Sequence, residues 1–228
     1  MTDQRTHVPT RFVDRRHAGV VLAGHLGMYA GRTDLVVLAL PRGGVPVGYE
    51  VARRLQAPLD VLVVRKLGTP DRPEFAIGAI AGGGITVLDD ASIAAHRVPA
   101  RVLEAIVERE RAEVVRRERA YRSNRPAVAV RGQVVIVGDD GLATGSTMQA
   151  AVLALRRQGP AGIVVAVPVG SRQACEALAD VADQVVCPLT PEPFAAVGLW
   201  YADFSETPDR EVRHFLAQPT TGPAERSA

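Results

Sequence analysis

Aliphatic runs recur along the chain at residues 35–40, 59–64, 134–137 and 162–167, with a short one at 184–186. They do not keep a strict apolar–polar alternation, so they predict strands buried on both faces. Amphipathic stretches lie between them. Residues 14–29 predict a helix with Asp14 as N-cap and Val21, Leu22, Leu26 and Tyr29 on one face. Residues 45–57, 148–159 and 172–181 predict further helices. Strands alternating with helices specify an α/β fold, a central parallel sheet flanked by helices, and such sheets take their ligands beyond the carboxyl ends of the strands.

Two stretches depart from the alternation. A polar, turn-rich segment at 69–74 leads into an apolar run at 75–81, a glycine turn at 82–84 and a second run at 85–88, which together predict a β-hairpin. Residues 99–121 predict a long helix, read as an insertion, whose stripe is Leu103, Ile106, Val107, Val114 and Tyr121. Between Arg101 and Arg119 it carries six Arg and five Glu, a near-neutral balance that predicts a solvated face rather than a nucleic-acid patch. Residues 1–11 read as a loose arm and 218–228 as a disordered tail, which leaves 1–217 as a single domain.

Composition narrows the class. With 47% apolar and 23% charged residues in 228, the chain suits one globular domain, and a net charge of +2 offers no footprint for nucleic acid or a membrane surface. Arginine supplies every cation but one, Lys66, which singles that lysine out. Cys175 and Cys187 lack metal-ligand spacing and predict free thiols in a reducing compartment. No leader-like apolar stretch begins the sequence and no span-length apolar window follows, so the expectation is a cytoplasmic protein without membrane spans.

The candidate chemistry centres on residues 134–147, VVIVGDDGLATGST. A buried strand ends at Gly138, Asp139 and Asp140 follow, and a small-residue loop, 141–147, opens a helix. Such a loop suits a phosphate: backbone N–H groups at a helix start point outward, and the hydroxyls of Thr144, Ser146 and Thr147 add donors. Ionised carboxylates only accept hydrogen bonds, so they match vicinal hydroxyls, a metal ion or developing positive charge. Together the two features imply a phosphorylated polyol such as a ribose phosphate. No lysine follows Gly145 as a P-loop requires, and no G-x-G-x-x-G is present. A second anion-friendly turn, Pro41-Arg42-Gly43-Gly44, ends the first aliphatic run, and Arg65-Lys66 ends the next. Aromatic residues are scarce elsewhere but cluster at Phe194, Trp200, Tyr201 and Phe204, which suits a small hood or a platform for a planar ring.

The stretch 134–147 resembles the phosphoribosyl pyrophosphate (PRPP) signature of the type I phosphoribosyltransferases. Residues 41–44 resemble that family's pyrophosphate loop, and FAAVGLWYADF resembles the C-terminal base-stacking segment of its purine-specific members. The LPRGG loop, the RK pair and the VGxWYxDF tail are together most similar to a bacterial group of stand-alone members. The resemblance implies a PRTase-like fold with a β-hairpin flap and a small C-terminal hood at about 188–207. It also implies transfer of the 5-phosphoribosyl group of PRPP to a nitrogenous base with release of pyrophosphate and help from Mg²⁺. Asp139 and Asp140 would hold the ribose and act in catalysis, and Ala143, Thr144, Gly145, Ser146 and Thr147 would hold the 5′-phosphate. Pyrophosphate would fall to Arg42, Gly43, Gly44, Arg65 and Lys66, the base to Phe194 or Trp200, and a water-bridged metal contact to Asp203. The partners expected are PRPP and a small planar nitrogenous acceptor, with a homodimer admissible. A non-catalytic PRPP or nucleotide sensor on the same fold, or a sugar-phosphate binder, would use the same residues. Three departures stand out: Gly138 replaces a larger apolar residue, Gly141 follows the acidic pair and adds flexibility, and VAVPVGS (165–171) lacks the lysine that reads a purine's keto oxygen.

Overall fold

The computed structural model describes residues 9–69, 76–123 and 125–221. The first eight residues of the expected arm, most of the turn at 69–74 and the tail from 222 lie outside that set. Helix α1 (Arg15–His25) is capped by Asp14, whose carboxylate accepts from the His17 N–H, and ends before a 3₁₀ turn at Gly27–Tyr29. Strand β1 (Leu35–Ala39) leads through PRGG into α2 (Gly44–Leu55), and β2 (Leu59–Val61) follows. The chain then leaves the sheet. Leu62 N–H still donates to the Ala39 carbonyl, but the Val63 carbonyl accepts from Gly82. Strand β3 (Val64–Gly68) pairs antiparallel with β4 (Ala76–Ala81), which pairs with β5 (Ile85–Leu88) across the expected glycine turn.

The aliphatic run 59–64 is therefore not one strand ending in Arg65-Lys66. It divides between two sheets, and the two cations sit inside a flap strand, where successive side chains point to opposite faces. A short helix α3 (Asp90–Ala95) and the long α4 (Ala100–Arg122) come next. The apolar stripe of α4 is covered: Ile106, Val114 and Tyr121 are buried in a cluster with Leu67, Ile77 and Ile80 of the flap. Its polar face is less solvated than expected, because Glu110 is buried.

Strand β6 (Val134–Gly138), α5 (Ser146–Arg156), β7 (Gly162–Ala166), α6 (Arg172–Ala179) and β8 (Gln184–Val186) complete a five-stranded parallel sheet of order β2-β1-β6-β7-β8. The hood is irregular apart from a 3₁₀ turn at Val197–Trp200. A helix that the sequence reading lacked, α7 (Asp209–Ala217), buries Val212, Phe215 and Leu216 against Tyr49 and Tyr121. At the chain's described ends, Phe12 is fully buried and exchanges backbone hydrogen bonds with Trp200 and Ala202, while the Thr220 hydroxyl donates to the Ala57 carbonyl. Residues 9–12 and 218–220 are thus tied to the body.

Helices α1 and α2 cross closely. A Cβ on Gly19 would lie 2.7 Å from the Val47 carbonyl oxygen. Glu50, 2% exposed, accepts from Arg16 on α1 at 2.6 and 2.9 Å and from Arg53 on its own helix at 2.8 and 3.0 Å. Both carboxylate oxygens are satisfied by forked guanidinium donors, the geometry that makes a buried carboxylate tolerable.

Candidate active site

Strands β1 and β6 are neighbours in register, Ala39 opposite Gly138, so the loops that follow them leave the sheet side by side. They touch. A Cβ on Gly43 would fall 2.0 Å from Asp140 Oδ2, and one on Gly44 would fall 2.8 Å from Asp139 Cα. Any side chain at either glycine would enter the acidic pair. The Pro41–Arg42 peptide is cis. The Gly44 N–H donates to the Leu40 carbonyl, which leaves the Arg42 and Gly43 N–H groups as the loop's candidate amides for an anion.

Asp139 and Asp140 lie at the carboxyl end of β6, half-buried. Asp139 Oδ1 accepts from the Asp140 N–H at 2.8 Å. Burial, and then the adjacent Asp140 charge, hold the Asp139 carboxyl well above the ordinary range. Burial raises Asp140 too, opposed by a guanidinium that the sequence reading did not single out. Arg15 Nε donates to Asp140 Oδ2 at 2.8 Å. Tyr201 donates its hydroxyl to the Asp140 carbonyl at 2.5 Å. No local motif marks Arg15, which reaches the site from a distant helix, whereas Tyr201 stands in the VGxWYxDF tail.

The following loop has the form expected of an anion cradle. Gly145 adopts φ +72°, a left-handed conformation that side chains disfavour, and α5 starts immediately after it. Ala143, Thr144 and Thr147 are exposed, and Thr144 and Ser146 hydroxyls lie 3.1 Å apart. Ser171, between β7 and α6, braces the loop by donating to the Ala143 carbonyl at 2.7 Å.

The two unusual glycines separate here. Gly141 is a steric requirement, because its Cβ would lie 2.5 Å from Val197 Cγ1 of the hood, whereas one on Gly138 meets nothing closer than the Ala166 carbonyl at 3.5 Å. Gly141→Ala is expected to cost about 1–3 kcal/mol by overpacking, and Gly138→Ala to stay within about 0.5 kcal/mol of the parent. Urea unfolding of both variants checks this contrast.

The expected cations take three different partners. Lys66 Nζ donates to Ser146 Oγ at 3.2 Å, which brings it to the anion loop. Arg65, on the other face of β3, donates to Glu110 of α4 at 2.8 Å. Arg42 is ion-paired with Glu206 and lies 3.7 Å from Asp209, so its guanidinium faces the hood and α7. A cleft of about 610 Å³ runs past Arg65, Lys66 and Thr69, Arg109 and Glu110 of α4, and Thr147 of the loop. Helix α4 walls this cleft, which reaches the anion loop at Thr147 but is lined by neither the acidic pair nor the PRGG turn.

Phe194 and Trp200 are half-buried against Phe12, Val169 and Tyr201, so both belong to the packing of the hood. The more exposed aromatic is Phe204, with the Arg15 guanidinium carbon 3.9 Å from its ring centroid. Asp203 is exposed, and the Ser205 N–H holds its carboxyl below the ordinary value. It borders a small cavity with Arg15 and Glu206. Among the described residues no three His, Cys, Asp or Glu side chains converge as a metal cage, and no helix is long and apolar enough to cross a membrane. Cys175 and Cys187 are free, half-buried and close to one another beside Gly170.

The comparisons with known proteins agree with this geometry. Two curated Mycobacterium tuberculosis proteins, from strains CDC 1551 and H37Rv and each named "Putative phosphoribosyl transferase", are 45% identical over 205 residues, 90% of this chain and 46% of theirs. The chain therefore spans about half the length of the curated relatives it matches. The crystal structure of TT1426 from Thermus thermophilus aligns with a TM-score of 0.83 at 46% identity, covering 93% of this chain and 100% of that one. A family model described as the phosphoribosyl transferase domain matches residues 19–199. With acids, anion loop and PRGG turn meeting at the ends of β1 and β6, the chain belongs to the phosphoribosyl transferase family of type I fold.

Proposed function

We propose that this protein transfers the 5-phosphoribosyl group of PRPP to a nitrogen of a small planar acceptor and releases pyrophosphate. The observation that carries the reading is the contact between the PRGG loop and the acidic pair, with Gly43 and Gly44 leaving room for nothing but the carboxylates. A pyrophosphate site and a ribose site must abut in this way, because the bond that breaks joins the two.

In this reading Ala143, Thr144, Gly145, Ser146 and Thr147 hold the 5′-phosphate through amides and hydroxyls at the start of α5. Asp139 and Asp140 accept from the ribose hydroxyls. As the glycosidic bond lengthens, positive charge develops at the anomeric carbon, and the nearer carboxylate stabilises it electrostatically. Lys66 and the Gly43 amide receive the departing pyrophosphate. Arg42 and Arg65 join them by exchanging Glu206 and Glu110 for phosphate oxygens. Phe194 or Trp200 of the hood meets the acceptor ring.

The donor set fits Mg²⁺ carried in on phosphates rather than caged by protein, the usual habit of an ion that keeps its waters. Asp203 would hold it through water. Held there, Mg²⁺ would supply positive charge to offset the negative charge developing on the leaving group.

The test is pyrophosphate release from PRPP and Mg²⁺ across a panel of purine, pyrimidine and other nitrogenous acceptors. Acceptor-dependent release supports the transferase. Tight PRPP binding with no release for any acceptor would assign the same pocket to a sensor, and indifference to replacement of the ribose would assign it to a general sugar-phosphate binder.

A further inference from the structure

We infer that Arg15 is a positioning residue: it fixes Asp140 for the ribose and joins that acid to the hood. The inference rests on the phosphoribosyl reading of the acidic pair and deepens it.

Three contacts hold the Arg15 guanidinium in one plane. Nε donates to Asp140 Oδ2 at 2.8 Å, one terminal nitrogen donates to the Ser205 carbonyl at 2.6 Å, and the guanidinium carbon stacks 3.9 Å from the Phe204 centroid. The ion pair is largely withdrawn from water, with side-chain exposures of 12% for Arg15 and 15% for Asp140. A buried, charge-assisted hydrogen bond is the kind that fixes a rotamer rather than averaging over several.

Asp140 is enclosed from every direction that could orient it. Arg15 approaches from α1. The Tyr201 hydroxyl grips its carbonyl from the hood. The PRGG loop lies against its Oδ2, where Gly43 has no room for a Cβ, and that same position is 3.2 Å from Arg15 Nε. Asp139, with its Oδ1 on the Asp140 N–H, closes the remaining side. Among these neighbours the guanidinium is the cation that touches the Asp140 carboxylate. Without it a half-buried carboxylate beside a second one has strong reason to swing toward solvent.

A lysine cannot replace the whole arrangement. It supplies a compact charge but neither the fork that spans Asp140 and Ser205 nor the flat face that stacks on Phe204. Arg15 therefore makes the geometry of the ribose-binding acid depend on the hood, the part that meets the acceptor in the phosphoribosyl reading.

The experiment measures ribose 5-phosphate and inorganic pyrophosphate binding, each with Mg²⁺, by calorimetry for wild type, Arg15→Met, Arg15→Lys and Phe204→Leu, with thermal unfolding as the check on folding. Arg15→Met is expected to weaken ribose 5-phosphate by ~10- to 100-fold, the worth of one charge-assisted hydrogen bond, and pyrophosphate by less than ~3-fold. Arg15→Lys should recover part of the ribose 5-phosphate affinity. A folded Arg15→Met with wild-type affinity for ribose 5-phosphate, or with equal losses for both probes, overturns the role of Arg15. Should Arg15→Met fail to fold, Phe204→Leu decides: removing the stack should weaken ribose 5-phosphate by ~2- to 5-fold, about the worth of a cation–π contact, and no change overturns the proposal. Wild-type protein that binds neither probe overturns the phosphoribosyl reading itself, and the Arg15 role with it.

Discussion

Asp139→Asn/Asp140→Asn is expected to abolish the proposed PRPP binding and pyrophosphate release, by roughly 10³-fold or more, in a protein that stays folded. The amides keep the size of the carboxylates but bring no negative charge to the anomeric carbon. The single variants should part company in stability. Burial and the adjacent charge raise Asp139 well above its ordinary value, so the folded protein is penalised for ionising it. A carboxyl raised in the folded state adds stability that is complete below its unfolded pKa and lost as pH rises through the folded one. Asp139→Asn should therefore be more stable than wild type near neutral pH, by about 1–2 kcal/mol. The gain should shrink on acidification to below about pH 4, where the carboxyl is protonated in both states. Asp140→Asn should lack that gain, because it leaves the buried Arg15 without its carboxylate. Calorimetric unfolding of both single variants from pH 4 to 8 checks the pattern. An Asp139→Asn advantage that does not grow with pH refutes it.

Arg122→Met should cost about 3–5 kcal/mol, the penalty for stranding a buried charge. Arg122 closes α4 and reaches back to β2. Its Nε lies 2.9 Å from both oxygens of Asp60, and a terminal nitrogen donates to the Val61 carbonyl at 2.9 Å and another to Glu118 at 2.5 Å. Asp60 is 5% exposed and accepts otherwise from the backbone N–H groups of Val61 and Val128. Removing the guanidinium leaves two carboxylates unpaired at the joint between the main sheet and the long helix. Asp60→Asn in the same background should recover part of the loss, because the stranded charge has gone. Urea midpoints of the single and double variants measure both effects. A single variant within about 1 kcal/mol of wild type would show the network to be no stronger than an exposed ion pair.

The aliphatic runs made the parallel sheet legible, because a strand buried on both faces must be apolar along its length: β1, β6 and β7 appear within a residue of their expected ends. The same signal misplaced Arg65 and Lys66. Val63 and Val64 continue the run of β2, and nothing in local hydrophobicity records that the backbone changes sheets between them. Helix α7 was a different omission. Val212, Phe215 and Leu216 keep helical spacing after Pro208, but residues 208–217, between the hood and the tail, carry no element in the sequence reading. The acids, the anion loop and PRGG were legible because their chemistry is local to a strand end. Arg15 and Glu110 were not. Arg15 looks like one of two adjacent arginines opening a short helix, and Glu110 like one more charge on an arginine- and glutamate-rich one; the importance of each comes from a partner distant in sequence, Asp140 in one case and Arg65 in the other.

The clamp at Glu50 has a mechanical consequence. By riveting α1 to α2 it makes one stiff frame of two segments, one carrying the guanidinium that grips Asp140 and the other beginning in the PRGG turn. Such a frame resists hinging along its seam. Any flexing around the site falls instead to the three-stranded flap, which belongs to a separate sheet, while the hood stays tied to the frame through Arg15 and Phe12.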